Sequence, residues 1–203
     1  MLYQLLFSWA LFSTGWQSQG AIDGISVETR AMPGSGYDWF RVATDSDVPA
    51  AIQAEAIWGP AGPEGVVSSY VKEHRVLQDD PQTRLIYQTI SAPMVADRDY
   101  VMRITRERGG DGYIIAFETV EDPRVPPRDG KVRMRILASC SVEPLATGGS
   151  RIVYELFSDI GGDVPPWMAR SSQREASVAW LKTMLLRGER QHKLGPTGQT
   201  ASN

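Results

Sequence analysis

Sulfur and imidazole are scarce in this chain. Its 203 residues include one cysteine, Cys140, and two histidines, His74 and His192. A single thiol excludes an intramolecular disulfide and any metal site built on several thiolates. Two histidines far apart in sequence, the second in a polar tail, do not make the imidazole cluster that a transition metal selects. No metal and no cofactor is therefore expected. Cys140 stands in the alternating run Met134-Arg-Ile-Leu-Ala-Ser-Cys-Ser-Val142 and reads as a small core residue rather than a reactive thiol. Basic excess is missing too: 21 Lys and Arg face 24 Asp and Glu, a net charge of −3. That balance excludes a strong positive field and, with it, nucleic acid as the main partner.

Long apolar runs are also absent. The longest, Leu2 to Phe12, is too short to cross a membrane as a helix. It has signal-peptide length, and Ser13-Thr14-Gly15 offers small residues for cleavage, yet no Lys or Arg precedes Arg30 to supply a basic start. Residues 1–15 read as a signal peptide or as a first helix packed on the domain. Location turns on which: periplasmic or secreted with a signal peptide, cytoplasmic without one.

What is present is the make-up of one globular domain, 42% hydrophobic and 22% charged. From Gly24 the pattern is mostly of period two. Ile25–Arg30 alternates, Met32-Pro-Gly-Ser-Gly36 turns, and Trp39–Thr44 continues as a strand. Pro49–Trp58 predicts a helix opened by proline and stopped by Gly59-Pro-Ala-Gly-Pro63, with a short helix over Glu64–Ser69. Strands follow at Val71–Gln78, Arg84–Ser91, Asp99–Arg106, Tyr113–Val120, Val132–Glu143 and Arg151–Asp159, each closed by a Gly, Pro or Asp signal. Such short spacings favour antiparallel pairing over βαβ crossovers.

The period then changes. Asp163-Val-Pro-Pro-Trp167 opens a helix to about Arg187, with Asp163 placed as its cap. Trp167, Ser171, Val178, Leu181 and Leu185 fall on one stripe. The expected fold is α+β, a curved antiparallel sheet of about seven strands covered by one long C-terminal helix. The domain spans residues 16–190, and residues 191–203 read as a polar tail.

Several blocks occur in a familiar order. Asp97-Arg-Asp-Tyr-Val101, Asp111-Gly-Tyr-Ile-Ile115, Glu121-Asp-Pro-Arg-Val-Pro-Pro127, Gly130-Lys-Val-Arg133 and Ile160-Gly-Gly-Asp-Val-Pro-Pro-Trp167 resemble successive motifs of START domains. The match is densest from Val95 to Leu186. Trp16 with Asp23–Arg30, and Tyr70–Leu77, are similar to the family's opening and third strands more loosely. Where many members place a tryptophan before that third strand, this chain has Gly65-Val-Val-Ser-Ser69. The resemblance implies the helix-grip fold, a U-shaped sheet gripping the final helix around a tunnel for one lipid. It implies a lipid or other hydrophobic small molecule as partner, transient membrane contact, and a monomer. The alternative from another class is an enzyme like the polyketide cyclases and aromatases of related helix-grip proteins.

Period-two counting names the tunnel wall. With Glu118, Arg133, Arg135 and Glu155 in solvent, Ile115, Phe117, Val132, Met134, Ile136, Ala138, Cys140, Tyr154 and Leu156 point inward, joined by Met102. These inward positions are almost entirely apolar, which favours a carrier over an enzyme. From the helix come Ser171, Val178 and Leu181. The resemblance places Trp167 and Met168 in a lid and the loop Glu121–Arg128 at the opposite rim, a rigid proline-rich connector being its other reading. Met94, Met102, Met134 and Met168 suit a wall that adapts to an irregular guest. Asp97, Arg98 and Asp99 read as an ion-paired start of a strand rather than a catalytic set, since no nucleophile–base pair is near them. Cholesterol-carrying members bury an arginine further along this strand. Here Ile104 takes the corresponding position, with Arg103 beside it, so the polar anchor stays open.

Overall fold

In the computed structural model, residues 15–65, 68–91 and 95–195 are described. Met94 and the apolar run Leu2–Phe12 lie outside them. The strands are β1 (Gln17–Ile22), β2 (Ile25–Ala31), β3 (Asp38–Ser46), β4 (Val71–Asp79), β5 (Thr83–Ile90), β6 (Asp97–Gly109), β7 (Gly112–Thr119), β8 (Lys131–Arg133), β9 (Arg135–Pro144) and β10 (Ser150–Asp159). Helix α1 (Ala50–Trp58) follows β3, a 3-10 turn (Pro63–Gly65) follows α1, and α2 (Pro166–Leu194) closes the fold. The sheet runs β1-β2-β3-β10-β9-β7-β6-β5-β4, with β8 pairing in parallel on β6. The architecture is α+β helix-grip, and the sheet has ten strands among the described residues rather than about seven.

Two local features account for the difference. The polar segment Gln17–Ile22 has no apolar alternation, yet it pairs with β2 through a two-residue turn in which Asp23 and Gly24 both have positive φ, 49° and 81°. Asp-Gly is a favoured sequence for that hairpin because glycine and aspartate tolerate the left-handed region best. The expected strand Val132–Glu143 is broken at Met134, whose amide donates to the Asp99 carbonyl, so its first residues turn onto β6.

The inner face of the sheet carries two apolar clusters. The larger joins Val27, Val42, Ile115, Cys140, Val142 and Ile152 to Ala54 and Ile57 of α1 and to Val178, Leu181 and Met184 of α2. Each such Val, Leu or Ile stabilises by about 1.5–3 kcal/mol through burial. The smaller, Ile86, Tyr100, Met102 and Met134, lies under β5, β6 and β8 where no helix fills the space.

Helix α2 buries the later part of the expected stripe, Val178 and Leu181, but not its start at Trp167 and Ser171. The buried positions are Ala169, Gln173, Ser177, Val178, Leu181, Met184 and Gly188, whereas Ser171 is exposed and Trp167 is 71% exposed. Small residues win because the helix backbone comes close to its neighbours. Gln173 Nε2 donates across to the Ser158 carbonyl of β10 at 2.6 Å, whereas Ser177 Oγ bonds back within the helix to the Gln173 carbonyl at 2.8 Å. The cap is Pro165, not Asp163, and the helix runs past Arg187 and Gln191 to Leu194, so the polar tail starts later than expected.

Gly188 shows how tight the α1–α2 contact is. Gln53 is fully buried and donates from Nε2 to the Met184 carbonyl at 2.9 Å. A Cβ on residue 188 would lie 2.2 Å from Gln53 Oε1. Gly188→Ala is therefore expected to destabilise the fold by about 2 kcal/mol despite alanine's higher helix propensity. Urea denaturation measures this, and an unchanged or raised midpoint would contradict it.

Candidate functional site

Where the smaller cluster leaves space, the inner face and α2 enclose a cavity of about 310 Å³. Its walls come from alternate residues of neighbouring strands: Met102 and Ile104 on β6, Phe117 on β7, Ile136 and Ala138 on β9, Tyr154 and Leu156 on β10, with Met134 at the β8–β9 break. Trp180 of α2 forms the roof, stacked on Tyr154 at 4.0 Å between ring centroids and meeting Phe117 edge-on at 5.9 Å.

Of the residues expected at the wall, Met102, Phe117, Met134, Ile136, Tyr154 and Leu156 line this cavity. Ile115, Val178 and Leu181 do not; they are buried in the larger cluster against α1. Trp167, Met168 and Ser171 are exposed on α2 and away from it. Cys140 is fully buried, and desolvation pushes its thiol pKa well above the ordinary range.

The inner face is less apolar than its sequence suggests. On β5 the alternation Arg84, Ile86, Gln88, Ile90 faces inward, and with Tyr100 and His74 it adds a polar chain to the wall. Tyr100 donates to Gln88 Oε1. Gln88 Nε2 meets His74 Nδ1 at 2.9 Å, and His74 Nε2 meets the Ala61 carbonyl at 2.8 Å. An amide nitrogen only donates, so Nδ1 accepts and the proton sits on Nε2, which donates to Ala61. Period-two counting on β4 and β5, anchored by Ile86 and Ile90, is the sequence signal that finds Gln88.

The Ala61 contact belongs to a larger arrangement. The segment 58–65 closes one end of the cavity, and side chains from three elements hold its carbonyls. Arg84 donates to Trp58 and Gly59 at 2.8 and 2.7 Å and lies 4.1 Å over the Trp58 ring. Arg187 donates to Glu64 and Gly65 at 3.0 and 3.3 Å, and burial lowers its pKa. His74 takes the position between them. Within the segment the backbone bonds are local, Gly59 N–H to the Glu55 carbonyl at 2.9 Å and Gly65 N–H to the Gly62 carbonyl at 2.8 Å. No sheet ladder ties it to the rest of the fold, so it is a wall that opens at low cost.

The proline-rich loop lies elsewhere. Glu121–Arg128 is not a rim: Val125, 1% exposed, packs with Tyr87 and Val101 on the outer face of the sheet. Its fold rests on Asp122, which accepts from Arg124 Nη2 at 2.6 Å and from Arg124 Nε and backbone N–H at 2.9 Å each. These bonds pull the Asp122 carboxyl down to about 2. A depressed carboxyl contributes its stability fully above the ordinary aspartate range and loses it as pH falls through the folded value, here between about pH 4 and pH 2. Carbon-detected NMR should show this carboxyl titrating near 2, and Arg124→Gln should return it toward its ordinary range. An unshifted midpoint in the parent protein would contradict the contact.

Asp99 is 1% exposed, pairs with Arg133 at 3.0 Å and accepts from the Tyr87 hydroxyl at 3.1 Å. Arg98 donates to the Ala96, Ile160 and Gly161 carbonyls. Neither lines the cavity. Ile104 does, whereas Arg103 pairs with Glu118 at 2.7 Å on the outer face. The arginines on the wall are Arg84 and Arg187.

A family model for the START domain matches residues 69–193. The Pseudomonas aeruginosa protein PA1579 is 26% identical over 174 residues, 82% of this chain and 83% of that protein. Phosphatidylcholine transfer protein of Rattus norvegicus is 28% identical over 130 residues, 61% of this chain and 60% of that protein. Among solved structures, a STAR-related lipid transfer protein fragment from Xanthomonas axonopodis superimposes with a TM-score of 0.74 at 27% identity, covering 87% of this chain and 99% of that one.

Proposed function

The chain belongs to the START domain family, and on that premise we propose that it holds one hydrophobic molecule in its internal cavity, for transport or sensing, without covalent chemistry. The observation that carries the proposal is a cavity of about 310 Å³ walled by Met102, Phe117, Ile136 and Leu156 and roofed by Trp180. Apolar surface drives such binding at roughly 0.8 kcal/mol per methylene transferred from water. Relatives named for lipid transfer support a lipid-like guest.

A cyclase-like role is less well supported by the same wall. Both nitrogens of His74 are engaged, and among the described residues no carboxylate lines the cavity, so no free base faces a substrate. The chain serves as a container, with segment 58–65 as its door. Thermal unfolding against a panel of fatty acids, sterols, phospholipids and compact ring compounds tests this. Ligand bound only to the folded state at a hundredfold its Kd adds about 2.7 kcal/mol, so at least one class should raise Tm with concentration. A Tm unmoved by every class contradicts the proposal.

A further inference from the structure

The carrier role leaves open what the cavity holds, and its dimensions and polar groups narrow the answer. A dry cavity of roughly 150 Å³ takes up one benzene ring. The cavity here, about 310 Å³, is twice that and stands at the low end of small-ligand sites, which run from about 300 to 1,000 Å³. Two fused rings or a short chain fill it, whereas a two-chain phospholipid is several times larger. The Trp180 indole, stacked on Tyr154 and edge-on to Phe117, occupies the room under α2 that acyl chains would need. Its face and edges suit a flat ring.

Several polar atoms on the wall have no hydrogen-bond partner among the described residues: the Tyr154 hydroxyl, the Ser158 hydroxyl and the Trp180 indole N–H. Of these, the Tyr154 hydroxyl is carried by the ring stacked beneath the roof. Tyr154 is 8% exposed and lines the cavity, yet its hydroxyl makes no hydrogen bond to any described residue, in contrast to Tyr100, which donates to Gln88. A hydroxyl that faces a cavity without a protein partner is open to one supplied from outside the chain. Charge, by contrast, is less well provided for. Arg84 and Arg187, the wall's cations among the described residues, are turned to the carbonyls of segment 58–65 and to Asp79. A carboxylate or phosphate inside would lose its water and would have to compete with those carbonyls for the two guanidiniums. Burial likewise keeps the Tyr154 phenol protonated and able to donate.

We propose that the cavity selects a compact, uncharged, ring-sized molecule carrying one hydroxyl or carbonyl oxygen, which accepts a hydrogen bond from the Tyr154 hydroxyl. The inference rests on the carrier role and specifies its ligand. Calorimetric titration of the full chain with 2-naphthol, naphthalene, 2-naphthoate, cholesterol and dipalmitoylphosphatidylcholine tests it, alongside Tyr154→Phe, whose fold is checked by circular dichroism. The parent should bind 2-naphthol one-to-one, naphthalene about tenfold more weakly for want of the hydrogen bond, and 2-naphthoate more weakly still. Tyr154→Phe should abolish the naphthol–naphthalene difference. Tighter one-to-one binding of cholesterol or the phospholipid than of 2-naphthol would overturn this inference and leave the carrier role standing. So would a preference for naphthol that survives in Tyr154→Phe. Failure of all five compounds to bind would overturn both.

Discussion

Ile136→Trp should shut the cavity, lowering ligand uptake at least about a hundredfold, a loss of about 2.7 kcal/mol in binding. Ile136 lines the cavity from β9, two residues from Met134 on one side and Ala138 on the other. An indole there extends into the space a guest would occupy. Overfilling a core costs typically 1–3 kcal/mol when side chains must shift, but here the added volume meets a void rather than packed atoms. For a chain of this size each kcal/mol is about 2–4 °C in Tm, so the variant should melt only a few degrees lower. Calorimetric titration and a thermal scan report the two effects separately. Uptake unchanged in a folded variant would show that the guest sits elsewhere.

Removal of the Arg84 guanidinium is expected to cost the fold about 3 kcal/mol, in the range for breaking buried charged contacts. Arg84 is 8% exposed and donates to Asp79 at 2.6 Å and to the Trp58 and Gly59 carbonyls. Arg84→Met keeps the stem over the Trp58 ring but leaves both carbonyls without a donor, each a loss of about 1–3 kcal/mol when buried. Asp79, half exposed, regains water and contributes less. Arg106 is the control. It too lies over the Trp58 ring, at 4.6 Å, but pairs with an exposed Glu55, so Arg106→Met should cost less than about 1 kcal/mol. Urea denaturation of both variants decides the matter, and equal effects would contradict the door-holding role of Arg84. Segment 58–65, released at one end, should also let a bound ligand leave roughly tenfold faster.

The strands were legible where one face is apolar and the other charged. Glu118, Arg135 and Glu155 fix the parity of β7, β9 and β10, and Phe117, Ile136, Tyr154 and Leu156 follow onto the cavity wall. Parity names a face and not a depth along it. Ile115 obeys the same alternation as Phe117 yet lies under α1, in the packed part of the core. Hairpin β1 escaped because both sides of an exposed edge strand are wet, which removes the alternation. On α2 the apolar side chains Trp167 and Met168 at its start point outward, while the small residues Ala169, Ser177 and Gly188 are buried in line with Val178, Leu181 and Met184. Close approach of a helix selects small residues, a signal opposite to hydrophobicity. The chain Tyr100–Gln88–His74 was hidden for a further reason: its partners are distant in sequence, and only the sheet brings them together. The outer-face position of Val125 has the same origin, since proline content marks a loop as stiff without saying which side of the sheet it crosses.

One hydrophobic molecule is expected to occupy the cavity under Trp180. Native mass spectrometry of the purified chain, followed by organic extraction, measures this directly. A single small-molecule adduct per chain is expected, one that dissociates on mild activation and is missing from Ile136→Trp. A chain that stays empty after exposure to sterols, phospholipids, fatty acids and compact ring compounds, or an adduct of equal occupancy in Ile136→Trp, would contradict it.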